Sequence, residues 1–300
     1  MKCCIILFIL LGCSSVGEKT NIKVDLGSTV ILKNNELSSE CLERRLSLIG
    51  NRIKGFNVFH ERIQKNSELK IILPLISSCR TKGKTGSEND FKASMYLFHE
   101  LNHLLGELTK GADLKSVNKE GVYNLLHYNL KKKWENVEFI VLKNQPTLSW
   151  LFAKYSNKEY IKRSIYLDPK EHPNSTLMNL VEEWNAYNSQ VEYLLQSAVY
   201  ESLAGKKFVI ANYPFEFWLF VVEYLSYVKV KDISSYHKYA KHEGFKNTLK
   251  LLVAFTQSFL GKKDTLSFEM FDQLSLDQVL NKIKVESLKI SNEFPVLNLK

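Results

Sequence analysis

Two histidines and a glutamate in one short stretch have the spacing of a metal site. The stretch Phe91–Leu108 reads FKASMYLFHELNHLLGEL and contains His99, Glu100 and His103. In an α-helix, side chains four positions apart lie above one another on one face, so the two histidines can bind one ion. Imidazole is a common ligand of Zn²⁺, and a catalytic zinc ion usually has three protein ligands and one water. The histidine pair would supply two of those three ligands.

Glu100 follows His99 directly and therefore lies at the flank of the same helix face. A carboxylate in that place can take a proton from water at the metal, whose pKa falls to about 7. The alternative is a pair of core histidines beside a surface glutamate. The stretch favours a buried helix, because leucines recur at helical spacing on the side away from the histidines, namely Leu97, Leu101, Leu104 and Leu108.

The sequence His-Glu-Leu-Asn-His resembles the signature of the zincin metallopeptidases. In the metzincin branch a third histidine stands six residues beyond the second, with a glycine midway. Gly106 matches that glycine, but Thr109 occupies the histidine position. The resemblance therefore points to the gluzincin branch, in which a glutamate of a second, downstream helix completes the metal site.

A downstream amphipathic helix over Thr176–Tyr200 offers a candidate for that glutamate. Glu183 lies at the edge of its apolar stripe, whereas Glu182 falls on the opposite, solvent side. The residues from Glu183 to Ala186 read Glu-Trp-Asn-Ala, which is similar to the Glu-x-x-Ala of the third-ligand helix in several gluzincin families. The alternative for Glu183 is a solvated or ion-paired helix carboxylate.

The resemblance implies a zinc ion bound by His99, His103 and Glu183. Many gluzincin families also place an aspartate four residues after the glutamate ligand, where it holds a metal histidine. Tyr187 stands at that position here, so either Tyr187 or Asn185 would have to substitute. A further group, usually histidine or tyrosine, is expected to stabilise the transition state, and three candidates stay open: Tyr187, Tyr193 and His172.

The implied activity is zinc-dependent hydrolysis of peptide bonds by metal-activated water. Glu100 would deprotonate the water and pass the proton to the leaving amine. Two alternatives remain: a non-catalytic zincin-like envelope lipoprotein that binds a protein or cell-wall partner, and a structural lipoprotein in which the motif is coincidental. The intact Glu100 favours the enzyme, since a scaffold needs no base beside the ion.

The amino terminus predicts export and lipid anchoring. Residues 1–12 read as a signal peptide, because one lysine precedes an apolar run from Ile5 to Leu11 that is too short to span a bilayer. The residues from Leu10 to Cys13 resemble a bacterial lipobox, so we expect Cys13 to be acylated and to begin a polar tether over residues 13–21. The alternative is an ordinary cleavable signal. A lipid on Cys13 would attach the protein to the bacterial cell envelope, with the outer membrane favoured because Ser14 is not aspartate.

Two cysteines remain after the leader and the lipidated residue are removed. Cys41 and Cys79 would form a disulfide in an oxidising compartment, or else two buried thiols. Neither belongs to a Cys-x-x-Cys pair, which disfavours a structural zinc or redox role.

The predicted fold is α+β but mostly α, with an active-site helix, a small sheet and a helical C-terminal lobe. One zincin-like domain covers residues 22–300, with lobes at 22–172 and 173–300. The expected strands lie within Asn21–Lys33, Leu69–Ile76 and Trp134–Lys143, and an apolar edge strand would bind extended substrate. One helix is expected to begin near Ser38. Four others are expected over Val117–Leu130, Pro214–Val228, Phe245–Leu260 and Phe268–Leu288.

Composition permits this organisation. The chain has 300 residues, 45% of them hydrophobic, and a net charge of +9. Such a chain can bury a large core, and its charge suits anionic lipid headgroups, cell-wall polymers or acidic partners. Nucleic acid is disfavoured because the lysines are spread along the sequence. His237 and His242 are five apart, a poor helical spacing for one ion, and are expected in a solvated helix or turn.

Overall fold

The computed structural model describes residues 35–56, 59, 87–108, 120–143, 145–150, 176–200, 208–262, 266–269 and 275–299. The expected signal peptide and tether lie outside these residues, as do the two strands predicted before residue 77. Cys13, Cys79 and His172 also lie outside them.

The described part of the chain is mostly helical with two small sheets, so an α+β, mostly α fold is confirmed. Its helices are α1 (Asn35–Arg52), α2 (Ser87–Leu108), α3 (Leu177–Tyr200), α4 (Tyr213–Lys231), α5 (Ile233–Lys241), α6 (Glu243–Leu260) and α7 (Leu276–Ser287). Its strands are β1 (Gly121–Tyr128), β2 (Trp134–Val141), β3 (Phe208–Ala211) and β4 (Leu266–Glu269). Strands β1 and β2 form an antiparallel hairpin, and β3 pairs with β4 in parallel.

The chain divides into two compact units, Met1–Leu101 and Asn102–Lys300, and the division falls within α2. In the first unit, one face of α1 is buried through Leu42, Leu46 and Ile49, and Ile53, just after the helix, is buried as well. The helix begins at Asn35 rather than near Ser38. Phe56 packs edge-on against Phe98 of α2, with ring centroids 6.0 Å apart.

The second unit is built around α3. This helix packs against α4, the hairpin and α6, and α4 packs in turn against α5 and α7. Trp184 of α3 stacks on Trp218 of α4, and both rings are fully buried. Helix α4, expected over Pro214–Val228, is buried along most of its length. No helix in the described ranges combines the length and the apolarity needed to cross a membrane.

The helix predicted over Val117–Leu130 is wrong where the structure describes it. Gly121–Tyr128 is strand β1, and every residue of it pairs with β2. The turn between the strands explains the error: the Asn129 side chain accepts hydrogen bonds from the backbone of Lys131 and Lys133. This turn allows the segment to pair with the following strand, and that non-local pairing overrides a weak helical pattern.

The helix predicted over Phe268–Leu288 also needs correction at its start. Leu266–Glu269 is strand β4, and α7 begins only at Leu276. Ser275 and Gln278 form a capping box at that point, with each side chain bonded to the backbone of the other residue. The four-residue strands β3 and β4 pair across more than fifty residues of sequence, so neither has a local signal strong enough to predict it.

Candidate metal site

Two helices carry the candidate ligands. Helix α2 holds His99 and His103 one turn apart, as their spacing predicts, and α3 holds Glu183. The ligand atoms that these three side chains offer all lie within 4.8 Å of one another. The Nε2 atom of His103 is 3.6 Å from the Oε1 atom of Glu183. This buried group could hold a metal ion.

The spacing within the group fits a single ion. Two ligand atoms that bind one tetrahedral zinc ion at about 2.0–2.2 Å lie roughly 3.3–3.6 Å apart. The His103–Glu183 distance of 3.6 Å is at the end of that range. No distance in the group exceeds 4.8 Å, so a shift of at most about one ångström would bring the ligand atoms into this range, and side-chain rotation can supply it. Two imidazoles and one carboxylate are also a donor set that zinc accepts.

The group is largely shielded from solvent. His99 is 2% exposed and Glu183 is 7% exposed. Burial raises the pKa of the Glu183 carboxyl to about 7, and the neighbouring His103 opposes part of that rise. An ionised carboxylate at this depth is costly without a cation. A bound metal cation would remove that cost.

Glu100 is buried as well, with 3% of its surface exposed. The sequence left open that it is a surface glutamate, and the structure excludes this. The Glu100 carboxyl group therefore lies inside the protein, on the residue next to the candidate ligand His99. Glu182, expected on the solvent side of α3, is partly exposed, in contrast to Glu183.

Asn185 makes its hydrogen bonds to residues other than the two candidate histidine ligands. Its amide nitrogen donates to Oδ1 of Asn102, at 2.8 Å, and to the carbonyl of Leu126, at 3.0 Å. Its amide oxygen lies 2.9 Å from Nδ1 of His127. These bonds use both donor hydrogens and the oxygen, so Asn185 links α3 to α2 and β1.

The candidates for transition-state stabilisation differ in their reach. Tyr187 lies one turn beyond Glu183 on the same face of α3, and its ring stacks on Tyr213 and Phe217. Tyr193 is ten residues beyond Glu183, about 15 Å along the helix axis, and it is fully buried. A tyrosine side chain cannot span that distance, so Tyr187 is the better candidate of the two.

His127 and Asn102 have structural partners that sequence reasoning did not find. Both are buried, and both hydrogen-bond to Asn185. Their partners are 58 and 83 residues away in the chain. No periodicity or motif reports a side-chain pair at such a separation. His242, expected in a solvated helix or turn, is the N-cap of α6, and its side chain accepts a hydrogen bond from the backbone of Phe245.

Comparison with known proteins gives no match, either to a family model or among curated proteins and solved structures.

Proposed function

We propose that this chain is a zinc-dependent metallopeptidase of the gluzincin type, anchored to the bacterial cell envelope. The observation that carries the proposal is the buried group of His99, His103 and Glu183, with its ligand atoms within 4.8 Å of one another. The two histidines and the glutamate come from separate helices, in the order that the zincin resemblance implies. Glu100, which a binding protein would not need, supports an enzyme over a scaffold.

In this proposal His99, His103 and Glu183 hold the zinc ion. A zinc ion in this place would polarise the scissile carbonyl and lower the pKa of a water molecule to about 7. Glu100 is the general base: it accepts a proton from that water and later delivers it to the leaving amine. Burial of Glu100 suits this role, since proton transfer to a poorly solvated carboxylate needs little reorganisation of water.

Tyr187 is the residue we assign to the developing negative charge on the carbonyl oxygen. It lies one turn from Glu183 on the same face of α3, and its ring is held by stacking on Tyr213. A rigid aromatic ring fixes the position of its hydroxyl group, and preorganised donors are the most effective kind in transition-state stabilisation.

The envelope location rests on the predicted signal peptide and the lipid expected on Cys13. The substrates would then be peptides or proteins that reach the envelope. The net charge of +9 would favour acidic substrates and the anionic surface of the membrane.

The deciding measurement is the zinc content of the full-length chain, purified in a non-ionic detergent. We expect one zinc per chain in the wild type and in Glu182→Gln, and none in His103→Ala or Glu183→Gln. Glu182→Gln is the matched control because it makes the same chemical change on the neighbouring residue of α3. A folded, zinc-supplied wild type without metal would refute the proposal.

Glu100→Gln separates catalysis from binding. Removing the general base should lower kcat by about 10²–10⁴-fold while the zinc content stays at one per chain. The assay is cleavage of a fluorescence-quenched peptide library by the zinc-loaded protein. Equal cleavage by wild type and Glu100→Gln, or zinc binding without any Glu100-dependent cleavage, would leave a metal-binding envelope protein instead of a peptidase.

A further inference from the structure

A chain of buried amides joins the two helices of the candidate metal site. Asn102, next to His103 on α2, accepts a hydrogen bond from Asn185, two residues after Glu183 on α3. Asn185 continues the chain to β1, through the carbonyl of Leu126 and the ring of His127. Asn102, Asn185 and His127 are each at most 4% exposed.

The direction of every bond in the chain is fixed. A backbone carbonyl can only accept, so the Asn185 nitrogen must face Leu126, and the same nitrogen reaches Asn102. The Asn185 oxygen must then face His127, which requires the proton on Nδ1 of that ring. Turning the Asn185 amide over would set its oxygen against two acceptors. The hydrogen bonds of Asn185 therefore permit only one orientation of its side-chain amide.

Breaking one of these buried hydrogen bonds costs folding free energy, because water cannot reach the site to replace the lost partner. A buried polar group that loses its partner costs about 1–3 kcal/mol. The bond between Asn102 and Asn185 spans α2 and α3 directly beside His103 and Glu183. A small change in the separation of the helices would alter the 3.6 Å distance between these two ligands.

We propose that Asn102 and Asn185 are positioning residues that hold His103 and Glu183 at the separation a single metal ion requires. The inference rests on the proposed metal site. In many gluzincins an aspartate four residues after the glutamate positions a metal ligand. Here the two amides would position the ligands in a different way. The amides fix the helices, whereas the aspartate fixes a histidine ring.

Asn188 provides a matched control on the same helix. It is a fully buried asparagine one turn beyond Asn185, and it bonds to Thr256 and to the carbonyl of Leu252. Its partners lie on α6 and not on α2. Removing its amide should therefore destabilise α3 without changing the spacing of the ligands.

The experiment measures the zinc affinity of the full-length chain by competition with a chelator, for Asn102→Ala, Asn185→Ala, the double variant and Asn188→Ala. We expect the first two variants to weaken zinc binding by about 10–100-fold, the range found when the groups that orient metal ligands are removed. The double variant should bind no more weakly than Asn185→Ala, because both changes break one bond. Asn188→Ala should bind within about twofold of wild type while its melting temperature falls as in the other variants.

A spectroscopic readout separates positioning from loss of stability. With Co²⁺ in place of zinc, the visible absorption bands report the ligand geometry, and they should shift in Asn102→Ala but not in Asn188→Ala. Asn102→Ala is the gentler test, since it leaves the bonds of Asn185 to Leu126 and His127 intact. It keeps the inference falsifiable if Asn185→Ala does not fold.

The possible results are distinct. A wild type that binds no zinc or Co²⁺ would overturn the proposed function and this inference with it. A wild type that binds zinc, with Asn102→Ala and Asn185→Ala within twofold of it, would overturn the inference alone. Weakening in Asn188→Ala equal to that in Asn102→Ala would also overturn it, because any buried amide would then have the same effect.

Discussion

At the scale of single residues, Tyr187 has two separable roles. Its ring stacks on Tyr213, with centroids 4.4 Å apart, and on Phe217, with centroids 5.5 Å apart. Phenylalanine keeps the ring and loses only the hydroxyl group. The stacking contacts therefore survive the substitution, whereas any contact of the hydroxyl with substrate does not.

We expect Tyr187→Phe to lower kcat by about 10²-fold, with little change in KM, because one donor to the transition state is lost. Tyr193→Phe makes the same change about 15 Å further along α3 and should leave kcat unchanged. Steady-state cleavage of a quenched peptide tests both variants. A normal kcat for Tyr187→Phe would exclude the tyrosine and direct attention to His172.

The residues that carry the proposed chemistry were largely visible in the sequence. The i, i+4 spacing of His99 and His103 is a local property of a helix, and the amphipathic pattern separated Glu183 from Glu182. The amides of Asn102 and Asn185 were not recognised as a pair. Their interaction exists only once α2 and α3 are packed, and one sequence contains no record of that packing.

At the scale of elements, predictions from long local sequence patterns were correct, and predictions for segments whose structure depends on contacts with other segments were not. Helices α2, α3, α4 and α6 have ten or more residues of helical periodicity, and each was expected near its observed bounds. Strand β1 has a weak helical pattern in its sequence, and its pairing with β2, which the turn at Asn129 makes possible, overrides that pattern. Helix α3 is also buried on more faces than its apolar stripe indicated, since polar residues such as Asn188 and Ser189 are fully buried.

Buried polar residues on α3 depend on a specific network with α6. The indole nitrogen of Trp184 donates to the hydroxyl of Thr256, at 2.8 Å, and that hydroxyl donates to Oδ1 of Asn188, also at 2.8 Å. Thr256 thus satisfies one donor and one acceptor that water cannot reach. Valine has the same shape as threonine but can neither donate nor accept a hydrogen bond.

We expect Thr256→Val to lower the free energy of unfolding by about 2–4 kcal/mol, because it leaves two buried polar groups without partners. Thr147→Val is the control, since the Thr147 hydroxyl bonds an exposed serine hydroxyl, and its effect should stay within about 0.5 kcal/mol. Urea denaturation followed by circular dichroism measures both. A loss below 1 kcal/mol for Thr256→Val would mean that other groups take over its hydrogen bonds.

At the scale of the whole molecule, a covalent link stabilises the first unit. Cys41 on α1 is disulfide-bonded, which excludes a free thiol there. The pairing with Cys79 stays a prediction. A bond between these two residues would close a loop of about 40 residues and stabilise the fold by about 3–4 kcal/mol in the chain-entropy account.

If Cys41 and Cys79 are partners, Cys41→Ser, Cys79→Ser and the double variant should lower the free energy of unfolding by the same amount. Peptide mapping without reductant should recover one cross-linked pair containing both residues. Unequal losses, or a cross-link from Cys41 to another cysteine, would contradict the pairing.

The pH dependence of stability follows from the buried ring of His127. Burial lowers the pKa of His127, and this is only partly opposed by the hydrogen bond that its ring donates to Asn185 and by the charge of Glu135, its neighbour across the hairpin. The unfolded chain therefore binds a proton at a higher pH than the folded protein does. The stability that depends on a neutral His127 is fully present above pH 6.5 and is lost as the pH falls from there toward the lower folded pKa.

We expect the free energy of unfolding of the metal-free wild type to exceed that of His127→Gln by an amount that shrinks as the pH falls from 7.5 to 5. The slope of this difference cannot exceed about 1.4 kcal/mol per pH unit, the limit for one proton. Taking the difference is essential, because Glu183 acts in the opposite direction: its raised pKa makes the metal-free fold less stable as the pH rises from about 4.5 to about 7. Both chains contain Glu183, so its contribution cancels. A difference that stays constant from pH 7.5 to 5 would show that His127 titrates alike in the folded and unfolded chain, and would contradict the lowered pKa of the buried ring.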